Sequence, residues 1–547
     1  MKCVLVLAAL IAVSSAGVVD LAEKQQAING LLFKVTEPIR ARYPRLKYAS
    51  EHWNPRDHED ECSDGGVALE ELLSNLESNR LLERQHYFSL FNDRHREEAL
   101  LLAHVLLGST NFHAFASHAA YFHERVNEGV FVYALYVAVT HSELTKDVVL
   151  PPLYEITPHL FTNSEIINKA QSAKMTHTDG KFKMEFTGSQ KNPEQRVAYF
   201  GEDIGLNSHH VHWHMDFPFW WDGHKIDRKG ELFFWAHHQL TARFDAERLS
   251  NYLSVVDELY WDRPIYEGFA PHTTYRYGGE FPNRPDNKYF EDVAGVARIR
   301  DMKILENRIQ DAIDHGYIVD KEGNKVKLCD CKGIDILGNI IESSAYSPNP
   351  QYYGSLHNTA HKMLGSQADP QGKFDLPPGV MEHFETATRD PSFFRLHKYM
   401  NNLFKSYKDT LKPYTKDELS YSNAEIVSVG IEGELTTYFE DFEFDLDNGI
   451  DDTETITDVS ITAFVSRLNH KDFAFTAEVK AKEAEVASVR IFLCPKYDSN
   501  HIEYTLDEAR WGCIQVDKYW TKRTFLIYEI IQELSVNSYI KFDHNEN

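Results

Sequence analysis

The sequence lacks several features that mark common classes of protein. After residue 16 it has no apolar run long enough to cross a bilayer, which argues against a membrane-spanning protein. Basic residues are in the minority, since 57 Lys and Arg stand against 83 Asp and Glu for a formal charge of -26. Nucleic acids and anionic membranes bind clustered Lys and Arg, so we expect neither as a partner.

Cysteine is scarce, with six residues among 547. One of them, Cys3, lies in an opening segment where Lys2 and a short apolar run precede Ser14 and Ala16. This pattern predicts a signal peptide over residues 1–16, because the apolar run is too short for the alternative, a membrane anchor. The mature chain is therefore expected to be secreted into an oxidising compartment.

Five cysteines remain after the predicted cleavage, an odd number. Cys494 and Cys513 each lie beside a β-like segment of the same late region, so we predict that they form a disulfide. Cys62, Cys329 and Cys331 have no predicted partner. The alternative, that all five are free thiols, fits a secreted protein less well.

The length and mass, 547 residues and 63.2 kDa, exceed what one core normally holds and predict several domains. Residues 17–190 are predicted to form an all-helical N-terminal domain. Within them, segments 66–79 and 94–107 repeat apolar side chains at intervals of three and four residues. The polar segment 176–198 is predicted to be a connector.

Residues 191–413 are predicted to form a second helical domain, and residues 414–547 an antiparallel β-domain. Asp390 and Pro391 form a helix start before the apolar-periodic run 393–411. After Pro413 the apolar period changes from near 3.6 to two, which is typical of strands. The alternating residues are Val459, Ile461, Ala463, Val465, Phe473, Phe475, Ala477, Val479, Val489, Ile491 and Leu493.

An acidic stretch runs from residue 440 to residue 454. A run of carboxylates could indicate calcium, but the spacing does not match an EF-hand loop. We therefore predict a solvated acidic loop.

The sequence contains 27 histidines, so only their spacing is informative. Two pairs stand four residues apart, which on a helix places both imidazoles on one face. A further histidine lies in an apolar helical run after each pair. The pairs are His210 with His214 and His357 with His361, and the third members are His237 and His397. His209 and His212 point elsewhere on the helical wheel.

An all-imidazole ligand set suits copper, zinc, iron or nickel. A hydrolytic zinc site would need the glutamate of H-E-x-x-H, which these pairs lack. Two facing sites of three histidines are what a dicopper centre requires, because one dioxygen can take an electron from each ion and bind as bridging peroxide. Pairs of surface or hydrogen-bonded core histidines are the alternative, but that alternative weakens when the pattern recurs.

Two long strings resemble crustacean hemocyanin. They run from residue 202 to 253, with SHHVHWHMDFPFWW, and from residue 333 to 404, with QYYGSLHNTAH. The resemblance implies a helical first domain, a second domain with a four-helix type 3 dicopper centre, and an immunoglobulin-like β-sandwich. It also implies hexamers, or multiples of hexamers, in hemolymph, and it supports the disulfide predicted above. The implied ligands are His210, His214 and His237 for copper A, and His357, His361 and His397 for copper B.

The resemblance leaves three functions to be separated. A reversible dioxygen carrier comes first. A phenoloxidase is the second, and access to the centre would decide between them. Phe91 matches a family residue that fills the place of a phenol ring, and Phe384 matches an aromatic that packs on the copper B histidines, although both could be ordinary core residues. A copper-free storage protein of the hexamerin or cryptocyanin type is the third, and such proteins have generally lost ligand histidines.

The β-domain is shorter than its counterpart in the family, and the residues after about 520 do not continue the family pattern. An incomplete sandwich would expose a sheet edge and part of an apolar face. We therefore expect an intact copper centre, with solubility and hexamer assembly at risk.

Overall fold

The computed structural model describes residues 20–188, 191–221, 226–419, 424–451, 459–481, 488–520 and 528–534. The predicted signal peptide lies outside these residues. Among the described helices, none combines the length and the apolar character that a membrane span needs. The predicted order of two helical regions followed by a β-region is confirmed.

The first helical region packs around one buried helix. Its helices are α1 (20–32), α2 (Pro44–His52), α3 (Val67–Glu77), α4 (Asp93–Leu107), α5 (Phe112–His123), α6 (Glu128–His141), α7 (Leu153–Ile156), α8 (Pro158–Phe161) and α9 (Ser164–Met175). Residues 130–139 of α6 are all buried, because this helix is apolar on every side. The two helices predicted from apolar spacing are α3 and α4.

The second helical region holds the histidine pairs. Its helices are α10 (Ala198–Gly201), α11 (Ile204–Asp216), α12 (Lys229–Ser250), α13 (Ile299–His315), α14 (Gly333–Glu342), α15 (Pro350–Tyr353), α16 (Leu356–Gly365), α17 (Pro391–Thr410) and α18 (Lys416–Leu419). The backbones of α12 and α14 touch, since a Cβ on Gly338 would lie 2.0 Å from the Gly230 carbonyl oxygen. As predicted, Asp390 caps α17 by accepting the Ser392 N–H at 2.8 Å.

Within the part of the chain that the structure describes, the strands form four small sheets. The strands are β1 (Gly180–Lys183), β2 (Tyr317–Val319), β3 (Lys325–Lys327), β4 (Ala424–Glu432), β5 (Thr437–Asp445), β6 (Ile461–His470), β7 (Phe473–Ala481), β8 (Ser488–Leu493), β9 (Ile514–Trp520) and β10 (Tyr528–Leu534), with a short helix, α19 (Leu506–Trp511). The sheet orders are β1-β6-β5, β10-β7-β4, β2-β3 and β8-β9. The predicted disulfide between Cys494 and Cys513 is present at the end of the β8–β9 pair.

Two expectations about irregular segments were wrong. The predicted connector contains β1, which pairs parallel with β6, Gly180 opposite Ile461. The acidic stretch begins in strand β5, because its carboxylates alternate with aromatic residues and Phe444 is buried. Residues 452–458 of that stretch lie outside the described residues.

The two helical regions and the β-region pack against one another through apolar side chains. One buried cluster contains the core of the first helical region, Val211 and Met215 of α11, and Phe444 and Ile461 of the β-region. A second cluster fills the space between α12, α13, α14, α16 and α17. Of the helices with the histidines, α11 therefore packs into the first cluster, and α12, α16 and α17 pack into the second.

Strand β4 is largely exposed, with no buried residue along its length. Large apolar side chains project from both of its faces, and Ile426, Val429 and Ile431 are 64%, 58% and 50% exposed. Within the described residues β4 also forms an edge of its sheet. The expectation that this region exposes a sheet edge and apolar surface agrees with this geometry.

Candidate metal centre

The six predicted ligands lie together at the centre of four helices. His210 and His214 project from α11 and His237 from α12. His357 and His361 project from α16 and His397 from α17. All six are at most 4% exposed. We call the residues of α11 and α12 the first trio, and those of α16 and α17 the second trio.

The first trio forms a compact nitrogen cluster. One ring nitrogen from each of its histidines lies within 4.8 Å of the other two. The Nε2 atoms of His210 and His214 are 3.2 Å apart. His237 faces this pair, with ring centroids 5.8 Å from His210 and 5.6 Å from His214. Three nitrogens at such separations can share one metal ion of bond length about 2.1 Å.

The second trio is arranged more loosely, because the nitrogen cluster within 4.8 Å joins His357 and His397 to His237 and not to His361. The Nε2 atoms of His357 and His397 are 3.2 Å apart. The ring centroid of His361 lies 4.7 Å from that of His357 and 5.7 Å from that of His397. Two neighbouring groups of three imidazoles therefore lie side by side in the interior of the fold.

The two trios face each other directly. The rings of His237 and His397 stack with centroids 4.6 Å apart and an interplanar angle of 9°. Nitrogens of His237, His357 and His397 also lie within 4.8 Å of one another, so His237 borders both clusters. Ions held by the two trios would be close enough to share one small ligand.

Backbone carbonyls orient most of the imidazoles. The Nδ1–H groups of His210, His237, His361 and His397 donate to the carbonyl oxygens of Phe384, Phe233, Met381 and Phe393 at 2.8 to 2.9 Å. His357 Nδ1 donates to Asn358 Oδ1 at 2.9 Å. These bonds fix the tautomer that leaves the Nε2 lone pair free. In the described structure, Nε2 of His237 and of His361 is buried without a hydrogen-bond partner.

Burial keeps the six rings neutral. It lowers the pKa of His237 to about 3 and that of His361 to about 4. The pKa values of the other four also fall well below the ordinary value, first because of burial and then because of the neighbouring imidazoles. Neutral imidazole is the form that binds metal, so the donor set and its unpartnered nitrogens fit a metal centre.

Two phenylalanines close the cavity, and one is placed differently from expectation. Phe91, from the loop before α4, stacks on His361 with ring centroids 4.8 Å apart. Phe384 was predicted to pack on the second trio, and this is wrong. Its ring stacks on His214 at 3.8 Å, because its carbonyl oxygen holds His210 and brings the residue over the first trio.

A buried ion pair beside the trios was not predicted from the sequence. Lys229 and Glu342, each 1% exposed in the side chain, pair between α12 and α14. The Glu342 carbonyl accepts Asn358 Nδ2 at 3.0 Å, and Asn358 in turn orients His357. Burial raises the pKa of Glu342, and the nearby Lys229 opposes that rise. The asparagine after His357 was the one signal of this network in the sequence.

Six neutral imidazoles in two facing trios on four helices define a dinuclear, all-histidine metalloprotein. Family models agree with that class. The hemocyanin copper-containing domain matches residues 152–404, the hemocyanin all-alpha domain matches 21–147, and the hemocyanin ig-like domain matches 413–524. The chain belongs to the hemocyanin family.

Individual relatives resemble the chain over most of its length. It is 60% identical to the hemocyanin A chain of Panulirus interruptus over 506 residues, 92% of this chain and 77% of that one. A crustacean hemolymph-type prophenoloxidase structure superposes with a TM-score of 0.83 at 29% identity, covering 93% of this chain and 82% of that one. A scorpion hemocyanin gives a TM-score of 0.79 at 36% identity, covering 94% and 80%.

Proposed function

We propose that this protein transports dioxygen by binding it reversibly at a dicopper centre. The observation that carries the proposal is the pair of facing imidazole trios, joined by the stacked rings of His237 and His397. Membership of the hemocyanin family supports copper as the metal. Two copper ions in this site would supply the reversible one-electron transfers that dioxygen binding needs.

The ligand assignment follows the two trios. The first trio would hold copper A and the second trio copper B. Among the described residues, Nδ1 of His214, Nε2 of His237 and Nε2 of His361 are buried without a hydrogen-bond partner, and the backbone carbonyls bonded to His237 and His361 resist rotation of those rings. Because all six imidazoles are buried, the dioxygen would bind at a site shielded from bulk water.

Phe91 favours a carrier over an oxidase. Its ring is 1% exposed and lies against both His361 and Phe384, with the Phe384 centroid 4.7 Å away. Ser89 fixes the loop, since its hydroxyl donates to the Glu382 carbonyl at 2.6 Å and accepts the Phe91 N–H at 3.2 Å. A diatomic gas can pass such a barrier, whereas a phenol ring would need the space that Phe91 fills.

Phenoloxidase is the second candidate, because the prophenoloxidase structure shares the fold over most of the chain. We infer a latent activity at most, which appears only when Phe91 moves. A copper-free storage role is disfavoured by the presence of all six histidines in one buried site.

The family also supports an extracellular protein that assembles with homologous subunits. We propose hexamers, or multiples of them, dissolved in hemolymph. The exposed apolar residues of β4 offer a surface for contacts between subunits.

Metal analysis combined with absorption spectra under oxygen and under nitrogen tests the function. We expect two copper ions per chain and an absorption band that appears with oxygen and disappears without it. His237→Gln should lose the band, because His237 borders both trios. His238→Gln is the matched control, since His238 is also buried on α12 but faces Trp511. A copper-free wild type, or equal bands in both variants, would contradict the proposal.

A further inference from the structure

A second group of metal-binding side chains lies on the surface of the copper domain, between β3 and α14. Ligand atoms of Cys329, Asp330 and Cys331 lie within 4.8 Å of one another. Both cysteines are free thiols; Cys329 is half-buried and Cys331 is exposed. The dicopper centre does not use these residues.

The turn that holds the two thiols is fixed by hydrogen bonds. The Cys329 carbonyl oxygen accepts the N–H groups of Lys332 at 3.2 Å and Gly333 at 2.7 Å. It also accepts the Tyr407 hydroxyl at 2.8 Å. A Cβ on residue 333 would lie 1.9 Å from that hydroxyl oxygen, so only glycine permits this contact. The thiols thus stand on a turn that is anchored to α17.

We propose that Cys329 and Cys331 bind one Cu(I) ion as a surface site separate from the histidine centre. Metal–thiolate bonds of about 2.3 Å place two sulfurs that share an ion at most about 4.6 Å apart, which the observed cluster accommodates. Thiolates select soft ions such as Cu(I) and zinc. A structural zinc site takes four protein ligands, and the described residues offer three here, whereas Cu(I) is stable with two or three.

Binding exchanges two thiol protons for one Cu(I) and transfers no electron. Hydrogen bonding between the two cysteines lowers the pKa of Cys329, which eases the first deprotonation, and raises the pKa of Cys331, so the incoming ion must displace the second proton. The exposed side of Cys331 leaves an open path for an incoming ion or for a small copper-carrying thiol.

Titration with a Cu(I)–bicinchoninate complex under nitrogen tests the site. The protein is first loaded so that its histidine centre is full, and the oxygen-dependent band confirms that loading. The wild type should then take up one further copper per chain, which the C329S/C331S double variant should not. Cys62→Ser is the matched control: it also removes a free thiol, but a buried one, and should keep the extra ion.

Equal copper uptake by the wild type and the double variant would overturn the proposal. So would a disulfide between Cys329 and Cys331 in the freshly isolated protein, detected by counting thiols. Tyr407→Phe should keep the stoichiometry but weaken binding roughly tenfold, as loss of an outer-shell partner commonly does. If the two cysteines do not bind copper, the oxygen-dependent band of the histidine centre would still be unchanged. The cysteine site and the dioxygen-binding function are therefore tested separately.

Discussion

Replacing Phe91 by alanine tests the barrier in front of the centre. The ring is almost wholly buried between His361 and Phe384, so its removal leaves a hole beside the second trio. Truncating a buried phenylalanine costs about 3–5 kcal/mol of stability. The same hole admits a phenol ring to within contact of the imidazoles.

The expected result is a gain of activity despite a loss of stability. With catechol as substrate, Phe91→Ala should raise kcat/KM at least roughly tenfold, equivalent to about 1.4 kcal/mol in the activation free energy. The assay is quinone formation by copper-loaded protein at a temperature where both variants remain folded. Copper content is measured in each sample so that activity is expressed per loaded centre.

Phe115→Ala provides the matched control. Phe115 is also fully buried in the first helical region, but it stacks on Phe112 in α5. Its removal should cost similar stability without opening the cavity. Equal catechol oxidation in both variants would refute the gating role of Phe91, since general loosening would then explain the gain.

Three further predictions address the loop, the titration of the site and the exposed strand. Ser89→Ala removes the hydroxyl that holds the Phe91 loop and should give a smaller gain in catechol oxidation than Phe91→Ala; a gain as large would mean that the ring itself is not the barrier. Burial lowers the pKa of His361 to about 4, so the folded chain binds fewer protons than the unfolded one between pH 4 and 6.5. The unfolding free energy of the metal-free protein should therefore decrease as the pH is lowered from 6.5 to 4, by up to about 1.4 kcal/mol per pH unit for this residue, and less steeply in His361→Phe. Denaturant titrations at pH 7 and pH 5 measure the difference, and parallel curves would contradict it. Val429→Lys places a charge on exposed β4 and should reduce self-association in size-exclusion chromatography, whereas an unchanged elution profile would show that β4 does not associate.

Local sequence patterns predicted the helices and the helical placement of the two histidine pairs. Spacing of four residues is enough to place two imidazoles on one helical face, as in His210 with His214. Likewise, Asp390 before a proline is enough to place the start of α17. Such features depend on neighbours in sequence, which is why they can be read before the fold is known.

Features that depend on distant contacts were missed or misplaced. Phe384 lies over the first trio because its backbone holds His210, 174 residues away. Lys229 and Glu342 are 113 residues apart, and no local pattern pairs them. Strand β1 is too short for an alternating apolar pattern to predict it. It forms because its backbone pairs with strand β6. In each case the tertiary structure decides the outcome.

The parallel pairing of β1 with β6 bears on how the chain is synthesised. The Asp179 carboxylate accepts the N–H of Ser460, 281 residues later, next to the first residue pair of the two strands. During synthesis β1 leaves the ribosome long before β6. It therefore has no partner strand until most of the protein has been translated. Closing so long a loop is slow, and until it closes the unpaired edge of β1 can associate with other nascent chains. Docking of β1 on the β-region is thus a late step in the synthesis of the chain.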